Sequence, residues 1–386
     1  MSGARPAIPV ARPLLGEPEA AAARRAILSG WVTQGPEVAA FEQEFGAAVG
    51  APHACAVSSC TTALHLALLA AGVAAGDEVV TVSHSFIATA NAIRYCGAIP
   101  VFVDVELATF NVDPALVEAA LSPRTKALLV VHQLGMPCDL AQLVALARRR
   151  GLAVIEDAAC AIGSEIEWQG TWQRIGQPHG DLACFSFHPR KLLSTGDGGM
   201  VATVDATFDA RLRLLRQHGM SVPDTVRHAS SQVVFEAYPI VGFNYRMTDI
   251  QAAIGREQLK RLPAIVERRR ALAARYHAAL GAHSRIVVPH EPAWARSNWQ
   301  TYAIRLRDAD QRAVMQRMLD DGVATRRGVM NAHLEGAYPP GTWRAAGSLT
   351  RSEEAQATAV VLPLFHQMTD GEQERVVTAL TCALAG

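Results

Sequence analysis

The feature that most limits what this chain can become is a regular alternation of short apolar runs with helical stretches through its first two-thirds. The runs His53–Ser58, Glu78–Val82, Ile99–Val105, Ala127–Val131 and Leu152–Ile155 read as strands, several of them rich in β-branched residues. Between them, Thr61–Ala71, Ser85–Tyr95, Asp113–Ala120 and Leu140–Arg149 place their apolar residues at helical spacing. Strands that alternate with helices predict an α/β domain whose mostly parallel sheet is covered on both faces. Such sheets take ligands at the carboxyl ends of their strands, so the residues that follow each apolar run are where chemistry is expected.

The rhythm changes near Ile250. Gln251–Leu280 reads as one long or broken helix, with Ala252, Ala253, Ile254, Leu259, Leu262 and Ile265 on one face and Pro263 placed to bend or interrupt it. Beyond it, Arg285–Val288, Tyr302–Leu306, Gln311–Asp321 and Asp370–Leu384 predict a smaller α+β unit. A chain of 386 residues suits two domains. The expected division is 1–260 for the large domain, with the N-terminal segment, and 261–386 for the small one.

Half of the residues are hydrophobic, and 36 basic residues balance 36 acidic ones. That balance excludes an acidic or disordered tail protein and provides no bulk charge for nucleic acid or an anionic membrane. The most apolar stretch, Ala63–Ala75, is too short to span a bilayer and reads as a buried helix. Met1–Gly16 has no uninterrupted apolar core, so no secretory signal is expected. Seven scattered cysteines without a CxxC pair predict a reduced, cytoplasmic protein with neither a disulfide framework nor a zinc site.

Three segments carry candidate chemistry. Lys191 follows the apolar run Ala183–Phe187 and precedes a loop with Gly196, Gly198 and Gly199. It is either a solvated lysine beside a glycine turn or an amine placed to form a Schiff base with a carbonyl. Leu152–Ile155 runs into Glu156 and Asp157. Asp157 either caps a helix or pairs with a buried cation such as a protonated pyridine nitrogen. Val57-Ser-Ser-Cys-Thr-Thr62 sits between a strand and a helix, where small hydroxyl residues cap the helix or cradle a phosphate. Neither GxxxxGK[ST] nor a GxGxxG after a strand is present, so nucleotide hydrolysis and dinucleotide binding lack support.

The order and spacing of these segments are more specific than any one of them. A phosphate cup, Phe86 after a strand, Asp157 and then Lys191 form a series that resembles the DegT/DnrJ/EryC1/StrS family of pyridoxal-phosphate (PLP) aminotransferases. Most members of that family act on nucleotide-linked keto sugars. The resemblance runs from Gly30–Pro36 through Gly76–Val80, Val101–Asp104, Glu156–Asp157, Phe185–Phe187, His218–Gly219 and Gly242–Met247 to Leu362–Leu364, which is nearly the whole chain.

The resemblance implies a fold-type-I PLP-dependent transferase, with a mixed, mostly parallel sheet flanked by helices and a smaller C-terminal α+β domain. It implies that Lys191 holds the cofactor and moves the proton, and that Asp157 keeps the pyridine nitrogen protonated. Phe86 would stack on the ring. Thr61, the backbone at Cys60, and Ser186 would hold the phosphate, and Asn244 would reach the phosphate of a neighbouring subunit in a homodimer. Two positions depart from the family: Cys60 stands where glycine is usual, with a left-handed backbone there a source of strain, and Cys160 stands where glutamine or histidine lies near the ring oxygen.

The implied reaction is a ping-pong transamination through pyridoxamine phosphate, from L-glutamate or L-glutamine to a keto sugar, most often nucleotide-linked. Candidate substrate residues are Trp31, Thr33, Gln34, Arg246, Tyr302, Arg326 and His333. The alternatives are a non-nucleotide carbonyl acceptor such as a cyclitol ketone, or a PLP-dependent lyase or dehydratase on the same fold. Family dehydratases replace the lysine with histidine, so Lys191 argues against that version.

Overall fold

A computed structural model of the chain describes residues 6–177, 179–222, 227 and 230–385. The first sheet collects β1 (His53–Val57), β2 (Glu78–Val82), β3 (Ile99–Val103), β4 (Thr125–Val131) and β5 (Ala153–Asp157). After a hairpin of β6 (Glu165–Trp168) and β7 (Thr171–Arg174), β8 (Leu182–Ser186) and β9 (Gly199–Thr203) complete its core. The strand order is β1-β9-β8-β5-β4-β2-β3, with a further short strand beyond β3. β8, β5, β4, β2 and β3 run parallel, whereas β9 is antiparallel to both β8 and β1. The mostly parallel, doubly covered sheet is therefore present, with one reversed strand near its edge.

Every residue of β2 and of β8 is buried, as helices on both faces require. The helix Cys60–Ala70 lies under the sheet, and Leu64, Leu66, Ala67 and Leu68 belong to its core cluster. On the other face Phe41 and Phe45 pack on Phe185 and Phe187 with ring centroids 5.0–5.7 Å apart. They come from the helix Pro36–Val49. This helix and its predecessor Glu17–Ser29 lie in a segment for which no helix was expected.

The long helical stretch is broken. The first helix, Asp249–Lys260, is closed at its start by a capping box between Thr248 and Gln251. The second, Leu262–Leu280, begins one residue beyond Arg261 and carries Pro263 in its first turn, where the missing N–H has no helical partner to lose. From Leu272 onward this helix packs into a second core, with Tyr276, Tyr302, Ile304, Val360 and Leu380.

That core is organised on β10 (Ile286–Val287), β12 (Tyr302–Leu306), β13 (Arg326–Arg327) and β15 (Ala359–Leu362), in the order β10-β12-β15-β13. β11 (Ala295–Arg296) instead joins the β6–β7 hairpin, and β14 (Arg344–Ala345) adds to β3 at the edge of the first sheet. Ile8, far from these strands in sequence, bridges Val323 and is buried in the second core. The two cores thus exchange segments on either side of the expected division at residue 260.

Candidate active site

A cleft of about 760 Å³ opens at the carboxyl ends of β2, β4, β5 and β8, between them and the β13 and β15 edge of the small sheet. β2 and β4 are neighbours, while the chain between them runs out to β3 and back. This is the place where an open α/β sheet leaves a crevice. Of the residues singled out from the sequence, Cys60, Thr61, Phe86, Asp157, Cys160, Ser186, Lys191 and Arg326 line it.

The floor is built from strand ends. Asp157 closes β5 and is only 6% exposed. Its Oδ2 accepts a hydrogen bond from Thr89 Oγ1 at 2.7 Å, and its Oδ1 one from the Ala159 amide at 3.2 Å. Burial raises its pKa above the ordinary aspartate value, because these two donors only partly replace water. Thr89 was not anticipated. Its only sequence signal is its i,i+4 spacing from Ser85, whose hydroxyl it meets at 2.7 Å.

Lys191 lies in the turn after β8, and its Nζ donates to Cys160 Sγ at 3.0 Å. Burial works against its ammonium form, yet Cys160, Cys60 and Asp157 around it hold the pKa above the ordinary lysine value. Behind Asp157, His132 Nε2 meets Glu156 at 3.0 Å, and the Cys138 amide donates to its Nδ1 at 3.1 Å. Both side chains are fully buried.

One wall is the start of the helix Cys60–Ala70, capped by Ser59, whose Oγ accepts from the Thr62 amide at 3.2 Å. The amides of the first turn, at Cys60 and Thr61, precede any intrahelical partner and point out of the helix start. A Cβ at Gly199 would stand 2.5 Å from the Ser59 carbonyl carbon, so only glycine lets β9 pass this turn. The expected strain at Cys60 does not arise. Cys60 opens the helix and is not among the positive-φ residues. Phe86 is 64% exposed, although its neighbours Ser85 and Ala88 are buried.

Other expected positions lie elsewhere. Tyr302 is a correction: it is fully buried in the second core, its hydroxyl 3.3 Å from His277 Nδ1, so it is closed off from any substrate. His333 is outside the cleft lining of its own chain, with Nδ1 2.6 Å from Ser83 Oγ and Nε2 3.2 Å from Glu353, and Ser83 is completely buried. Trp31, Thr33 and Gln34 are outside the cleft of their own chain. They precede Gly35, whose amide is tied to Asp249 at 2.7 Å. Asn244 and Arg246, joined at 3.3 Å, are also outside it, beside the end of β1. The rim holds Arg190 and Arg327 as well as Arg326, and of these only Arg326 was singled out from sequence.

A half-buried amine after one strand, a buried carboxylate at the end of another, a helix start open to a phosphate and an exposed ring in the same cleft lining fit pyridoxal phosphate. On this fold they define a PLP-dependent enzyme. The profile of the DegT/DnrJ/EryC1/StrS aminotransferase family matches residues 13–381, and the chain belongs to that family as a PLP-dependent sugar aminotransferase. It is 35% identical over 384 residues to the spore coat polysaccharide biosynthesis protein SpsC of Bacillus subtilis, covering 98% of this chain and 97% of that one. The crystal structure of the aminotransferase TlmJ from Streptoalloteichus hindustanus is similar at 36% identity and a TM-score of 0.89, over 98% of this chain and 99% of that one. DesV of S. venezuelae, solved in complex with a ketimine intermediate, is 34% identical with a TM-score of 0.87 over the same shares.

Proposed function

We propose that this aminotransferase moves an amino group from L-glutamate or L-glutamine to a nucleotide-linked keto sugar, in two half-reactions that use one cleft in turn. The observation that carries this reading is the cleft's polarity among the described residues: one half-buried amine and a buried carboxylate on the floor, and Arg190, Arg326 and Arg327 around the rim. The rim guanidiniums suit a diphosphate, which they bind through paired N–H donors.

When bound, PLP supplies an electron sink for the pair left behind as a substrate C–H bond breaks. Ser59, Cys60 and Thr61 hold its phosphate at the helix start, with Ser186 beside them. Asp157, held by Thr89 and Ala159, keeps a proton on the ring nitrogen, and that cation in turn favours the carboxylate form that burial disfavours. Phe86, exposed in the cleft lining, would stack on the ring. Lys191 Nζ would hold the cofactor at rest and, once released, would serve as the base and acid that moves the proton of the substrate carbon.

Asn244 and the Trp31–Gln34 segment serve the cleft of a partner subunit in a homodimer, because they lie outside their own. The stretch 230–243 supports such an interface, since it exposes Val233, Phe235 and Val241 together. Seven unpaired cysteines, most of them buried, favour the reducing cytoplasm.

The test is spectroscopic. L-glutamate or L-glutamine, without sugar, is expected to bleach the yellow band of the loaded enzyme and release a keto acid. A nucleotide-linked keto sugar then restores the band, and the free keto sugar does so far more slowly. A band unmoved by either donor, or equal rates with free and nucleotide-linked acceptor, overturns the reading.

A further inference from the structure

The segment Ser297–Thr301, just ahead of β12, reaches from the small sheet to three loops of the cleft. Asn298 Nδ2 donates to the carbonyls of Cys160 and Ile162, each at 2.8 Å. The Thr301 amide donates to the Leu134 carbonyl at 3.2 Å. Gln300 Nε2 donates to the Arg190 carbonyl at 2.9 Å. That last acceptor belongs to the peptide unit that carries the amide of Lys191, so the bond acts on the backbone from which the catalytic amine extends.

Gln300 has little freedom. Its Oε1 accepts from Thr301 Oγ1 at 2.7 Å, which turns its Nε2 toward Arg190, and its own amide donates to Asn298 Oδ1 at 2.8 Å. Trp299, between the two polar side chains, sits at φ 49°, a left-handed conformation that a tryptophan adopts only when its surroundings impose it. The restraint comes from Arg269, whose Nη1 donates to the carbonyls of Trp299 and Gln300, both at 3.0 Å.

Arg269 is 2% exposed, and among the described residues no carboxylate pairs with it. Burial pushes its pKa down to about 10. A guanidinium buried without a counter-ion opposes folding, and an apolar side chain of similar volume would serve the core better. What Arg269 provides and an apolar residue would not is a fixed double donor for this turn.

We propose that Gln300, clamped by Arg269, is a positioning residue for Lys191, so that the small-domain segment sets where the catalytic amine stands. This rests on Lys191 being the cofactor-bearing lysine. A lysine stem amplifies backbone rotation, and a displacement of its amine by an ångström is enough to slow proton transfer.

The test uses the loaded dimer of the wild type, Gln300→Met, Gln300→Glu and Arg269→Gln. The readouts are the pH midpoint of the visible band without substrate, the single-turnover rate of the donor half-reaction, the donor KM and the melting temperature. Gln300→Met is expected to move the band midpoint by about half a pH unit and to slow the half-reaction about tenfold, with KM changed less than about twofold and an unchanged melting temperature. Gln300→Glu, which loses the donor and faces a carbonyl, goes further in the same direction, and Arg269→Gln follows it. Should Arg269→Gln not fold, the two Gln300 variants decide. A raised KM with an unmoved band marks Gln300 as a substrate contact and overturns the proposal, as does wild-type behaviour throughout. A wild type that forms no visible band overturns instead the assignment of Lys191 beneath it.

Discussion

Two carboxylates are buried at opposite ends of the main sheet, and the protein treats them in opposite ways. Glu78 opens β2 at the amino-terminal end and is 1% exposed; Asp157 closes β5 at the carboxyl end. Burial alone would raise the pKa of Glu78. Hydrogen bonds from Arg344 and Arg124, both at 2.5 Å, and from Ser122 at 2.8 Å overcome this and hold it at about 2. Asp157 has two donors and no guanidinium, so its pKa stays raised. A charge already neutralised is spent on structure; one left short of partners is available to a ligand cation. The sheet is stapled at one end and reactive at the other.

The largest effect should come from the reactive end. Lys191→Ala removes the only lysine that lines the cleft among the described residues, and turnover is expected to fall by at least about a thousandfold. The cofactor-free variant should melt slightly lower than the wild type at pH 7, since an amine whose folded pKa is raised contributes stability that is fully present below its unfolded pKa and lost only as pH rises through the folded one. Measured turnover within tenfold of wild type would place the chemistry elsewhere.

Asp157→Asn sharpens the comparison because its activity and stability effects should diverge. The amide cannot hold the ring-nitrogen proton by charge, and kcat is expected to drop about a hundredfold. Stability goes the other way. A carboxyl whose folded pKa lies above its unfolded value of 3.8 contributes stability that is present below that value and lost as pH rises through the folded pKa. Cofactor-free Asp157→Asn should therefore match the wild type in acid and exceed it at neutral pH. A lower melting temperature than wild type at pH 7 would show that Asp157 is a structural carboxylate like Glu78.

The two ends also differ in how far the sequence discloses them. β2 matches its expected bounds, and Asp157 and Lys191 were found as polar residues after apolar runs, because strand ends announce themselves locally. The partners were not visible. Arg344 reaches Glu78 from 266 positions away, and Gln300 reaches Arg190 from 110. Tyr302 and His333 are candidates because their segments could approach the cleft, and only packing shows that one fills a core and the other bonds a buried serine. The helices Glu17–Ser29 and Pro36–Val49 were missed; each carries its proline in the first turn, where it is compatible with a helix but reads as a breaker.

The smallest effect on catalysis should come from the stapled end. Glu78→Gln leaves two partly exposed arginines facing a neutral amide, and losing these charge-assisted hydrogen bonds costs about 1 to 2 kcal/mol of stability. Below the temperature where the variant unfolds, kcat should stay within about twofold of wild type, since β2 reaches the cleft only through its other end. The acid limb supplies the sign. The folded pKa of Glu78, about 2, lies below its unfolded value of 4.5, so its contribution is complete above pH 4.5 and disappears as pH falls toward 2. The gap between wild type and Glu78→Gln in denaturant titrations should therefore close over that window. A gap that stays constant from pH 7 to pH 2 would mean that shape rather than charge holds this end of the sheet, and the contrast with Asp157 would lose its electrostatic basis.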